Sequence, residues 1–144
     1  MANVQDVAAY IVTKCGEMTA MKLQKLVYYS QAWHLVWSER PLFDEEIQAW
    51  ANGPVVYDLY RKHSGQFRVS DWPEGDVSHL SADETGSIDA VIDAYFPFTA
   101  HQLSEMTHQE DPWLMAREGL SDGARSNRPI TLASMHEYYS ARTA

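Results

Sequence analysis

Residues 20–39 read AMKLQKLVYYSQAWHLVWSE, and the fold turns on them. Leu23, Leu26, Val27, Ser30, His34 and Trp37 recur at helical spacing and form one stripe. Met21, Tyr28, Ala32, Leu35 and Val36 cover much of the remaining circumference, and Lys22, Lys25 and Tyr29 keep one polar edge open. A helix apolar on most sides must be surrounded, so this one is the expected centre of a bundle. Thr19 is the residue type that caps such a start.

Working outward, Val4, Val7, Ala8 and Ile11 follow the i, i+3, i+4, i+7 rule of an amphipathic helix that Gly16 ends. Beyond Pro41 the alternation Ile47–Gln48–Ala49–Trp50 reads as a brief strand, with Phe67–Arg68–Val69 as its expected partner. Pro54 suits the first turn of a third helix, VVYDLYRKH. Ser64 to Leu80 reads as an irregular surface connection. Ser81…Glu84 and Thr99…Gln102 both have the capping-box form. The first opens a helix with Ile88, Val91, Ile92 and Tyr95 inward and Asp89 and Asp93 outward. The second opens a short helix carrying Leu103 and Met106. Thr131 caps a last helix with Leu132, Met135, His136 and Tyr139 on its inner side. The expected fold is mainly α: a compact single-domain helical bundle over residues 1–144, with a small two-stranded β element near residues 46–50 and 66–70.

Residues 103–113, LSEMTHQEDPW, hold the densest set of chemically capable side chains. His101, Glu105 and His108 share one helical face and could bind a metal. That spacing is neither HExxH nor another zinc signature. Ser104 with His108 could pair as nucleophile and base, but no G-x-S-x-G elbow or third orienting group accompanies them. Asp111 as cap and Pro112 at the first helical position instead make residues 107–110 a joint between two short helices, anchored by Trp113. That reading explains every polar residue without catalysis. Trp33, Trp37 and Trp50 could be interface anchors, but in a small bundle aromatics belong first to the core.

The 144 residues suit one domain, expected to bury roughly 68% of its unfolded surface. No apolar run reaches the ~18–20 residues needed to cross a bilayer, no signal peptide is visible, and the single cysteine, Cys15, suits a reducing cytoplasm. Cys15 can form no intramolecular disulfide, and its place near a helix C-terminus disfavours a thiolate. No Gly-rich phosphate loop, dinucleotide fingerprint or basic recognition helix occurs. The net charge of −9 is unevenly spread. Ten acids and no Lys or Arg lie between Asp71 and Asp111, while the rest of the chain is nearly balanced. Such a segment repels phosphate backbones and attracts basic partners, or it is simply a solvated face.

MKLQKLVYYSQAWHLVW, RPLFDEEIQAWANGPVVYDLYRKHSG and LSEMTHQEDPWLMAR together resemble the Panacea domain, the SocA-like or phage-associated protein family. The resemblance runs from Val4 to about Arg117. It rests on the helix with Gln31 and His34, the Phe43…Trp50…Gly53-Pro54-Val55 block, and Leu103-Ser104…Thr107-His108…Trp113. Residues 118–144 form a divergent C-terminal segment ending in a helix.

The resemblance implies an all-helical antitoxin that neutralises a protein toxin, encoded by an adjacent gene, through direct binding. It implies no cofactor and no catalytic residue, and no membrane or direct nucleic-acid partner is expected. Asp83, Glu84, Asp89, Asp93 and Glu105 are the expected partner-binding residues, since Asp89 and Asp93 have no evident local role. One rival is a proteolytic adaptor or prophage protein that delivers a partner to a Clp-type protease. The other is a metal-dependent hydrolase using His101, Glu105 and His108.

Overall fold

A computed structural model describes residues 2–142. Helix α1 (Val4–Cys15) is followed by strand β1 (Met18–Thr19), the long α2 (Ala20–Ser38), β2 (Ile47–Trp50), β3 (Gly53–Val56), α3 (Tyr57–His63) and β4 (Arg68–Val69). Then come a short 3-10 turn (Val77–His79), α4 (Ala82–Tyr95), α5 (Ala100–Thr107), α6 (Asp111–Ala116), β5 (Pro129–Ile130) and α7 (Leu132–Ser140). The fold is mainly α.

Helix α2 occupies the centre, packed against α1, α4, α5, α7 and β3. Leu23, Leu26, Val27 and Ala32 lose all exposure, as its all-round apolar character requires. The expected caps form: Thr19 accepts from Lys22 N, and Ser81 and Thr99 each complete a capping box. Gly16 ends α1 at φ 81°, a left-handed conformation that glycine tolerates best.

The polar residues of α2 hold the non-helical parts of the chain. Gln24 accepts from Val56 N at 2.9 Å, and its amide donates to Val56 O at 3.2 Å. Gln31 donates to Phe43 O at 2.7 Å and accepts from Leu42 N at 2.6 Å. His34 pairs with Ser87 Oγ of α4 at 2.8 Å. Buried amides are tolerable when paired in this way, whereas His34 Nε2 is buried without a partner among the described residues.

The structure corrects several expectations. Both predicted strand regions are extended, but they do not pair with each other. Ile47–Trp50 lies between β3 and β5 in an antiparallel sheet of order β3-β2-β5, and Arg68–Val69 pairs with Met18–Thr19. Residues 53–56 are the return strand of a hairpin, so α3 begins only at Tyr57. A proline is admissible there because β3 is the outer strand. Gln24 and Lys25 meet its free polar groups and shield the edge from further strand pairing. The supposed polar edge of α2 closes: Lys25 and Tyr29 are buried, and only Lys22 keeps partial exposure. The connection after α3 contains a strand and a buried Trp72, whose indole donates to Gln5 Oε1 at 2.8 Å. Glu110, not Asp111, stands at the start of α6, with Asp111 inside the first turn. Leu132 and Trp37 are exposed, at 42% and 49%.

Candidate functional site

The hairpin β2–β3 meets the α5–α6 joint, and there the chemically capable side chains converge. Gly53 opens β3 at φ 122°, and a Cβ there would lie 2.6 Å from Lys25 Cε and 3.1 Å from Thr107 Oγ1. Both backbone and space therefore demand glycine. Lys25 runs under this turn with no exposure, its ammonium donating to Pro54 O at 3.2 Å and touching Met21 Sδ at 3.0 Å. No carboxylate pairs with it among the described residues. Burial pushes its pKa down to about 7, because taking a charge from water disfavours the charged form.

Ser104, Thr107, His108 and Glu110 each have a structural partner, although His108 Nε2 is buried without a hydrogen bond among the described residues. Ser104 Oγ donates to Asn52 O, and Thr107 Oγ1 donates to Ser104 O at 2.7 Å. His108 stacks on Trp113 with ring centroids 4.2 Å apart, and burial lowers its pKa. The Trp113 indole, 6% exposed, donates to Trp50 O at 2.8 Å. Glu110 accepts from Tyr29 at 2.8 Å and from Tyr139 at 2.7 Å, linking α2, the joint and α7. Burial raises its pKa although the two phenols oppose the rise. Arg117, 5% exposed, donates to Ala49 O at 3.0 Å and to the carbonyls of Ser121, Asp122 and Ala124, tying residues 121–124 to β2. Beside this clamp opens a cleft of about 580 Å³ lined by residues including Met21, Trp50, Asn52, Val55, Arg125 and Asn127.

His101 and Glu105 point to solvent while His108 turns onto Trp113. Among the described residues, no group of three or more His, Cys, Asp or Glu side chains is placed to hold a metal. The five acids expected to bind a partner do not share one environment. Glu84 is 9% exposed, and its carboxylate accepts from Ser81 N at 2.8 Å. Asp89 is locally engaged after all, accepting from Tyr10 at 2.7 Å and from Lys14 at 2.9 Å. Burial pushes its pKa up, but those two donors outweigh it and leave the carboxyl below its ordinary value. Asp83 approaches Arg40 at 3.8 Å, with 73% of its side chain exposed. Asp93 and Glu105 are exposed and make no hydrogen bond or ion pair among the described residues. Sequence reasoning missed Lys25, Gln24 and Arg117, because a charged or amide residue reads as surface until its partners are known.

Residues 23–114, most of the chain and all of the hairpin–joint clamp, match the model of the family described as antitoxin SocA-like, Panacea domain. The chain belongs to this family. No curated protein and no solved structure matches it. In this Panacea domain the signature residues Trp50, Gly53, Pro54, Ser104, Thr107 and Trp113 meet at one place. They fasten the hairpin to the joint. The family is described as one of antitoxins. No helix among the described residues is long and apolar enough to cross a membrane.

Proposed function

We propose that this Panacea domain is the cytoplasmic antitoxin of a two-gene pair and neutralises a protein toxin by binding it directly. The observation that carries this reading is the family match over residues 23–114, which includes most of the central helix and the hairpin–joint contact. The local chemistry agrees with a binding role. Ser104, the candidate nucleophile, donates to Asn52 O, and His108, its candidate base, stacks on Trp113. Of the five acids expected to bind a partner, Asp83, Asp93 and Glu105 keep exposed side chains that a basic partner surface could meet. A toxin acting on RNA needs such a surface, and complementary charge speeds its capture.

The test is co-expression with the product of the neighbouring gene. Growth arrest by that product alone, relieved by this chain with a stable complex recovered, is the expected outcome. Unrelieved arrest and no complex would refute the reading. Relief accompanied by protease-dependent loss of the toxin would replace occlusion by delivery to a protease.

A further inference from the structure

A second feature lies away from the clamp, between the C-terminal half of α2 and the outer side of α4. Trp33, Trp37, Ala90, Val91, Ala94 and Tyr95 line a groove of about 230 Å³. Its aromatic wall is held in place. Trp33 and Trp37 stack with centroids 5.5 Å apart, and the Trp33 indole donates to the Tyr95 hydroxyl at 2.9 Å. The opposite wall is low because Ala90 and Ala94, both exposed, are too small to fill it. Half of Trp37 thus stays in water beside an open apolar depression.

Size and charge narrow the occupant. Pockets for small molecules usually begin near ~300 Å³, whereas interfaces are anchored by single aromatic or aliphatic side chains in tight depressions. Helix α4, which forms one wall, carries Asp83, Glu84, Asp89 and Asp93 and no Lys or Arg. Asp93, next to the lining Ala94 in sequence, is exposed without an ion pair among the described residues. Asp83 stands two turns before Ala90 near the start of the same helix, against Arg40, a cation at that end. Glu39, two residues beyond Trp37, is bonded to His136 at 2.8 Å. A second copy of a chain carrying −9 would bring like charges together at this rim, so self-association is disfavoured.

We propose that this groove docks an apolar anchor side chain of a partner protein, presented on a segment flanked by lysine or arginine. If the partner is the toxin, the proposal deepens the antitoxin reading and rests on it, but the chemistry of the groove can be tested separately. One probe is a synthetic amphipathic helix of leucine and lysine, followed by tryptophan fluorescence, with a leucine–glutamate helix as control. The second probe is the neighbouring gene's product. Ala94→Trp fills the groove, and Trp37→Ala removes its wall. Both positions are exposed, so thermal melts matching wild type will verify the fold.

The expected result is that the lysine helix binds and the glutamate helix does not. Each variant should weaken binding of the lysine helix and of the toxin by about tenfold or more. Wild-type levels of binding in both variants would overturn the groove proposal while leaving the antitoxin reading intact. Binding of the lysine helix without any complex with the neighbouring product would sustain the groove and refute the toxin assignment. Dimerisation that Ala94→Trp abolishes would reassign the groove to self-association and overturn the proposal.

Discussion

Lys25 makes the stability of this domain depend on pH in a predictable direction. Its folded pKa is about 7, against ~10.4 for an ordinary lysine. From about pH 7 to about pH 9 the unfolded chain keeps this proton while the folded chain releases it. Stability rises with pH wherever the unfolded state binds more protons, so the fold should strengthen across that window. Each unit is worth about 1.36 kcal/mol, and Lys25 is half deprotonated at the lower end, so the gain is about 2 kcal/mol. The perturbation is Lys25→Met, an unbranched side chain of similar length that can fill the same space beside Met21. It leaves Pro54 O without its donor, a cost of about 1–3 kcal/mol, so stability at one pH does not discriminate. The slope does. Urea unfolding of both proteins should give a wild-type stability that climbs by about 2 kcal/mol more than that of the variant. Contributions from Cys15 and the tyrosines, whose pKa values are raised mainly by burial, cancel in this difference. Parallel slopes would refute the buried, unpaired ammonium.

Three other perturbations test the clamp and the surface. Trp113→Ala should cost ~3–5 kcal/mol, the range for a buried large aromatic, read from urea midpoints; a loss below about 1 kcal/mol would mean Trp113 does not anchor the joint. Gly53→Ala should cost more than about 1 kcal/mol, because its φ and the Lys25 stem both exclude a side chain; unchanged thermal unfolding would remove the close-approach account. Asp93→Lys combined with Glu105→Lys should slow association with the toxin, and the difference should shrink in high salt as the Debye length falls to ~3 Å at 1 M. Equal rates in stopped-flow at low salt would dismiss charge steering.

Most helices were legible because their signals are local. The capping boxes at Ser81 and Thr99, the stop at Gly16 and the all-round apolar α2 each need only neighbouring residues to be read. What escaped was non-local. Ile47–Trp50 has an alternating pattern, yet its partner is chosen by chain reversal at Ala51–Asn52 and by the later return of Pro129–Ile130. Pro54 gave a misleading helix signal, since proline is equally at home on an outer strand. Lys25 looked like surface because its lack of a carboxylate partner cannot be seen in one dimension. Asp89 looked unoccupied for a related reason: Tyr10 and Lys14 reach it from α1, 79 and 75 positions away.

The hairpin–joint contact and the exposed residues that could meet a partner occupy different parts of the molecule. Gly53 packs against Lys25 and Thr107, and Trp113 is held by Trp50 O and His108. A methyl group on Gly53 strikes Lys25, and the Trp113 indole donates to Trp50 O, so a change at either position disturbs a buried neighbour. Ala90, Asp93, Ala94 and Trp37 carry no such interlock: the alanines meet open space, and Asp93 bonds to nothing among the described residues. Substitution there leaves the core contacts of Ile88 in place, because that side chain is fully buried and takes no part in the groove. An interlocked clamp set apart from a groove of exposed residues allows recognition to change without refolding. Changes at the rim should therefore redirect binding at unchanged thermal stability, whereas changes in the clamp should lose stability and binding together.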